Sequence, residues 1–347
     1  MKCAFSEDIS SAINQEDPHT PVLLPEVVAL MKPEPGKSIV DATFGAGGYS
    51  RHFCKMGANV IGLDRDPLAV SRGQEMMSHY KDQFSLFNTT FSQLQHHVPD
   101  DGVDGIVFDL GVSSMQIDQG SRGFSFQKDG PLDMRMSCSG VSASDVVNRV
   151  NVKDLIRILG ILGEEKQATR IAHAIVKRRK SHPFQTTQDL SSLIQDIVYI
   201  NKKSRIHPAT RSFQALRMFV NDELKELLQG LISAEKVLKC GGILVVVSFH
   251  SLEDRLVKKF FVSRLCRVKA LRHMIPPDAP SAIFQPAFKK VMIPTRDDIA
   301  LNRRARSAKL RAGVRTSEKP LEDALSFANL ARLPTLSQFG MRRAQNN

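Results

Sequence analysis

Gly36-Lys-Ser-Ile-Val-Asp-Ala-Thr-Phe-Gly-Ala-Gly-Gly-Tyr49, followed by Val60-Ile-Gly-Leu-Asp64, decides the fold of this chain. An apolar run ending in Asp41, a glycine turn opening a helix, and a second apolar run ending in a carboxylate read as an adenosine-binding unit of an α/β sheet. Gly45, Gly47 and Gly48 allow a tight turn and a close backbone approach to a ligand. A dinucleotide fingerprint would place a third glycine three residues after Gly47, where Ser50 stands. Asp41, just before the turn, would repel a diphosphate and attract a cationic amino-acid ligand. The stretch therefore favours S-adenosylmethionine, with its ammonium and sulfonium, over NAD. Asp64 at the tip of the second strand is placed to accept protons from both ribose hydroxyls.

Outward from this unit, Ser85 to Asn88 reads as a third strand. Gly105 to Asp109 reads as a fourth, after the polar turn Asp100-Asp101-Gly102. The next convincing strand is Gly242 to His250. Residues 110–241 lie between, far more than the ~30 that a strand–helix–strand unit needs, so most of that span is expected to be an insert. Val152 to Leu162, Gln167 to Arg179 and Thr187 to Tyr199 carry apolar residues at helical spacing. A long amphipathic run from Phe213 to Leu238 is expected to stop at Cys240-Gly241-Gly242 and return to the sheet.

No apolar stretch approaches the length of a membrane span, and residues 1–17 contain Glu7, Asp8, Glu16 and Asp17 without the apolar block of a secretory signal. Cys3, Cys54, Cys138, Cys240 and Cys266 are far apart and odd in number, which fits a reducing cytoplasm and gives no case for a structural metal. A net charge of +12 and a pI near 9.6 point to a polyanionic partner, since Lys and Arg gain affinity by releasing phosphate counterions. The cations cluster: Lys177-Arg178-Arg179-Lys180, then Lys202, Lys203 and Arg205, then Arg303, Arg304, Arg306, Lys309, Arg311 and Arg315. Nucleic acid is the preferred partner.

Methyl transfer from a sulfonium is an in-line displacement that needs donor and acceptor aligned, and an open α/β sheet does this at the carboxyl ends of its strands. Three segments are expected there. Asp109, in Asp109-Leu-Gly-Val-Ser-Ser114, is the first candidate to orient and deprotonate an exocyclic base amine; the structural alternative is a turn capped with Ser113. His250, in the block Ser248 to Arg255, is the candidate to orient substrate or relay a proton, the alternative being a satisfied structural histidine. In that block Ser251 and Asp254 have the spacing of a capping box. The third segment, Arg122 to Phe126 with Asp129 to Met136, suits a lid or RNA-facing loop in which Phe124 or Phe126 stacks on an extruded base, or else packs a domain junction.

With these residues in place the chain resembles the bacterial 16S rRNA (cytosine-N(4)-)methyltransferase family, MraW type. The resemblance runs through His19 to Leu24, Asp41 to Ser50, Asp64-Arg-Asp-Pro67, Asp109 to Gln116, Arg122 to Met136, Gly163-Glu-Glu165, His207 to Arg217, His250 to Arg255 and Ala305 to Arg311. It implies S-adenosylmethionine-dependent methylation of the N(4) amine of a cytosine in the decoding region of 16S rRNA, in the small ribosomal subunit, by a cytoplasmic enzyme. It also implies cofactor contacts at Gly47, Gly48, Tyr49, Asp64, Phe91, Asp109 and Gln116, with Phe91 beside the adenine or, on sequence alone, in the core. Tyr49 stands where family members commonly carry His, and Arg303 where they carry Pro.

The expected fold is α/β, a class I (Rossmann-like) S-adenosylmethionine-dependent methyltransferase with an inserted all-α domain. The expected organisation is a tail over 1–18, a discontinuous methyltransferase domain over 19–133 and 214–315, a helical insert over 134–213 as the RNA-binding candidate, and an extension over 316–347. Two other readings stay open: an rRNA-binding assembly factor that uses the cofactor structurally, and a methyltransferase for another nucleic acid or for protein. Against the pure binding protein stands the set Asp41, Asp64 and Asp109; against a DNA amine methylase stands Leu110-Gly111-Val112, where such enzymes tend to carry a Pro-Pro-aromatic string.

Overall fold

The computed structural model describes residues 21–198, 207–265, 282–321, 334 and 336. Along the chain the elements are α1 (Leu24–Met31), β1 (Ser38–Asp41), α2 (Gly48–Lys55), β2 (Asn59–Asp64), α3 (Pro67–Tyr80), β3 (Phe84–Asn88), β4 (Val103–Asp109), α4 (Ser114–Asp118), α5 (Ala143–Arg149) and α6 (Val152–Arg157). They continue as α7 (Ala168–Arg178), α8 (Thr187–Ile197), α9 (Thr210–Val220), α10 (Glu223–Val237), β5 (Leu238–Ser248), α11 (Ser251–Arg264), β6 (Phe284–Pro286), α12 (Arg296–Leu301) and β7 (Lys309–Arg315). The chain divides into two compact units, 1–111 with 229–321 and 112–228 with 322–347.

The first unit holds one seven-stranded sheet in the order β3-β2-β1-β4-β5-β7-β6. The first five strands run parallel; β7 pairs antiparallel with β5, and β6 pairs antiparallel with β7 at the edge. This is a doubly wound, Rossmann-like α/β arrangement. β1 and β4 are buried on both faces, which is why they read as continuous apolar runs. Val107, Val245, Val247 and Leu310 form the core with Phe44, Phe53 and Tyr49. Each such side chain contributes roughly 1.5–3 kcal/mol by leaving water.

Two sequence expectations shift here. The antiparallel edge was not foreseen, because the cations of Lys309–Arg315 mask an alternation in which Leu310 and Ala312 turn into the core. β5 begins at Leu238, four residues before the expected start, with a register irregularity opposite Val103 to Gly105 and Gly241 at φ 83°.

The second unit is helical. The expected helix over Val152 to Leu162 is α6 followed by a π turn, Ile158–Leu162. The long run from Phe213 to Leu238 is two helices, α9 and α10, broken at Asn221 and Asp222. Asn221 donates from Nδ2 to the carbonyls of Met134 and Arg217 and accepts from Met136 N–H, while Asp222 sits at φ 49°. Asn and Asp tolerate this geometry and bond their own surroundings, so the break is local turn chemistry inside an apolar period.

Residues 112–133 and 214–228, expected in the sheet domain, cluster instead with the helices. Backbone bonds explain the first stretch: Leu132 N–H to Gln185, Met134 N–H to Arg122 and Ala143 N–H to Asp133. The tail 1–18, His19 and Thr20, the cluster Lys202, Lys203 and Arg205, Cys3, Cys266 and most of 316–347 lie outside the described residues. Among the described residues no helix is long and apolar enough to cross a membrane.

Candidate active site

Four acidic side chains gather at the carboxyl ends of the parallel strands. Asp41 ends β1, Asp64 ends β2 and Asp109 ends β4, while Glu253 lies in the first turn of α11 after β5. Asp41 is fully buried and accepts from Ser50 Oγ at 2.7 Å and Thr43 N–H at 3.3 Å. Its carboxylate therefore ties β1 to the start of α2, and its pull on a cationic ligand acts through space. Burial pushes it up to about 6, against those hydrogen bonds. Asp64 accepts from Gly45 N–H at 2.7 Å and Asp66 N–H at 2.8 Å, one on each oxygen, leaving each oxygen a further lone pair for a ribose hydroxyl. Burial pushes it too up to about 6.

Asp109 differs. Its backbone N–H donates to Thr43 Oγ1 at 2.7 Å, but its Oδ1 is buried with no hydrogen-bond partner among the described residues. Burial, then the charges of Asp41 and Glu253, push its carboxyl up to about 8. A buried carboxyl oxygen without a donor costs about 1–3 kcal/mol, so Oδ1 calls for a hydrogen-bond donor, and the ionised form for a nearby cation. That demand fits S-adenosylmethionine. At Gly45 (φ 56°) and Gly111 (φ 107°) an added Cβ would make only ordinary van der Waals contact, at 3.8 Å, so backbone conformation rather than crowding calls for glycine there.

Gly47 and Gly48 form the N-terminus of α2. Gly47 is its N-cap at φ 77°, where an added Cβ would lie 2.7 Å from the Phe44 ring; at Gly48 it would overlap Pro21. The Tyr49 ring is buried beside Phe53, and its hydroxyl donates to the Val22 carbonyl. The Tyr49 side chain thus packs in the core at the start of α2. Phe91 is half-buried and meets Phe108 edge-on at 5.4 Å, between β4 and Gly230 of α10. His250 caps α11: Nδ1 accepts from Leu252 N–H at 3.2 Å, and Glu253 accepts from His250 N–H at 3.0 Å. The capping box is thus His250 with Glu253, one residue before the expected Ser251 with Asp254. Asp254 instead accepts from Arg311 and Lys309; burial opposes its charge, but these two cations hold it below the usual carboxylate range.

Residues 16–316 match the model of the MraW methylase family. The chain belongs to that family. Ribosomal RNA small subunit methyltransferase H of Sinorhizobium fredii is 56% identical over 322 residues, covering 93% of this chain and 94% of the relative. The protein of that name from Agrobacterium fabrum is 55% identical over the same shares. The MraW-family site is one for S-adenosylmethionine.

The remaining MraW-family motifs lie in the second unit. Gln116 is buried at N3 of α4 and forms a capping box with Ser113, whose N–H it accepts at 3.0 Å. Ser113 therefore caps α4, and the alternative in which it capped a turn with Asp109 is not what the hydroxyl does. The expected lid is a fixed knot. Arg122 donates to the carbonyls of Arg135 and Met136, Arg135 pairs with Asp133, and Phe126 is held between His207 at 4.4 Å and Phe213 at 5.2 Å. One face of the half-buried Phe126 ring is taken by His207; Phe124 is half-buried beneath the Arg122 guanidinium.

The basic clusters also divide. Arg178 pairs with Asp189 and lies over Phe184, and Arg179 donates to the carbonyls of Val147 and Val150, leaving Lys177 and Lys180 outward. In the first unit Lys309 and Arg311 pair with Asp254, Arg315 is buried, and Arg304 and Arg306 are exposed. Sequence reasoning missed Thr43, Ser50 and Glu253 as site residues. Thr43 and Ser50 flank the glycine turn, and only the folded chain brings the Thr43 hydroxyl to Asp109 N–H and the Ser50 hydroxyl to the Asp41 carboxylate.

Proposed function

We propose that this chain methylates the N(4) amine of a cytosine in the decoding region of 16S rRNA, acting on the small ribosomal subunit in the cytoplasm. The observation that carries the reading is the unpartnered Oδ1 of Asp109 at the end of β4, among three other carboxylates. The relatives' name supports the rRNA substrate. When bound, S-adenosylmethionine supplies an electrophilic methyl on a sulfonium. The carboxylates of Asp41, Asp64 and Glu253 favour that positive charge by proximity, and Asp64 holds the ribose.

Asp109 is the group assigned to the acceptor. An exocyclic amine donates little while its lone pair is delocalised into the ring. A hydrogen bond from the amine to Oδ1 would localise the pair on nitrogen. As the N–C bond forms and the C–S bond breaks, the electron pair goes to sulfur and the amine proton to Asp109. Thr43 fixes the Asp109 backbone, and His250 with Glu253 fixes the start of α11. With Nδ1 committed to its cap, His250 is assigned to positioning.

The test is transfer of labelled methyl from S-adenosylmethionine to small subunits from a strain lacking this gene, with the product nucleoside identified by mass spectrometry. N(4)-methylcytidine is expected. Label absent from RNA despite tight cofactor binding would overturn the reading in favour of an assembly factor.

A further inference from the structure

The exposed side chains of α7 and its two flanks form a single stripe. Lys166, Arg170, His173, Lys177 and Lys180 recur at intervals of four, three, four and three residues, and all are exposed. Ala168, Ile171, Ala172 and Ile175 occupy the opposite, buried face. No acid occurs from Lys166 to Lys180. Arg170, His173 and Lys177 lie on the helix itself, about 10 Å end to end at ~1.5 Å per residue, and Lys166 and Lys180 stand in the turns that flank it.

Three features separate this stripe from an ordinary solvated face. The one carboxylate at the start of α7, Glu165, is buried and turned to Gln167 N–H, so the exposed side chains there are Lys166 just before the helix and Arg170 in its first turn, which the helix dipole does not favour. The flanking cations of the same run, Arg178 and Arg179, are consumed by Asp189 and by backbone carbonyls, whereas Lys177 and Lys180 point away from them. Finally, a helix lying on lipid would set apolar side chains among its cations, and here every large apolar side chain of the helix is turned inward or half-covered. The Nδ1 of His173 meets the Thr169 carbonyl at 2.8 Å, which leaves Nε2 on the outer side of the ring.

We propose that this face of α7 is a docking surface for the phosphate backbone of rRNA, positioning the substrate without reading its bases. The inference rests on the rRNA reading above and names where the grip is. Four of the five side chains are Lys or Arg, and no exposed Phe, Tyr or Trp stands among them, which suits phosphate rather than base contact.

The test compares the wild-type protein with the quadruple variant Lys166→Gln, Arg170→Gln, Lys177→Gln, Lys180→Gln. Binding to free 16S rRNA and to small subunits is measured across salt concentrations. Each cation withdrawn from a phosphate should reduce the magnitude of the slope of log K against log salt by about 0.7–0.9, so a fall of roughly three to three and a half is expected for the four. A rise of about tenfold or more in KM for the RNA is expected with it, with S-adenosylmethionine affinity and thermal unfolding unchanged. The variant Lys166→Arg, Lys177→Arg, Lys180→Arg should keep the wild-type slope. A slope unchanged in the Gln variant would overturn the docking surface while leaving methyl transfer to stand. Absence of transfer by the wild type would sink the proposed function, and the slope with free RNA would still decide the stripe.

Discussion

The backbone N–H of Asp109 donates to Thr43 Oγ1 at 2.7 Å, so the residue assigned to the acceptor amine is held by the loop that follows β1. Thr43→Val keeps the shape and removes the acceptor. Leaving that N–H unpartnered should cost about 1–3 kcal/mol in denaturant unfolding. Displacement of Asp109 should lower kcat by roughly tenfold to a hundredfold. Thr43→Ser should restore both; a Val variant with wild-type kcat would remove the tie from the chemistry.

Asp109→Asn should abolish transfer while leaving cofactor affinity reduced only in part, measured by calorimetry beside the methylation assay. Asn lacks the charge that takes up the amine proton but fits the same space. Sustained turnover would take Asp109 out of the mechanism.

Stability without cofactor should fall as pH rises. Asp41 and Asp64 titrate at about 6 and Asp109 at about 8, all above the ordinary 3.8. A raised acid contributes stability that is complete below its unfolded value and lost as pH climbs through the folded one. The loss should therefore begin above pH 4 and continue to about 8. In Asp109→Asn the upper part of that loss should vanish, as followed by thermal unfolding across pH.

Cofactor binding should run the other way. A sulfonium favours the ionised carboxylates, so affinity should rise between about pH 6 and 8, with protons released on binding. Calorimetry in buffers of different ionisation enthalpy reads the release directly. A pH-independent affinity with no proton release would show that the carboxylates are already charged.

His250→Ala should cost about 1 kcal/mol through loss of the α11 cap, and His250→Asn, itself a good cap, should recover it. If positioning is the whole role, Asn should also keep most of the transfer activity. A stable Asn variant without activity would return His250 to the chemistry.

The doubly wound sheet was legible in residues 36–64 because strands buried on both faces must be apolar, and a ligand turn must be glycine-rich. Asp41, Asp64 and Asp109 were legible as strand-end carboxylates for the same reason: each closes an apolar run. The sequence by itself also determined the family and the helical character of residues 152–197. Tertiary structure decided what those side chains do. It turned Tyr49 into core, moved the α11 cap to His250, spent Arg178, Arg179, Lys309 and Arg311 on internal partners, and left Asp109 Oδ1 without one among the described residues. A residue's type sets the bonds it can make, but whether a partner lies within ~3 Å depends on which strands and helices become neighbours, and that depends on contacts between residues far apart in the chain.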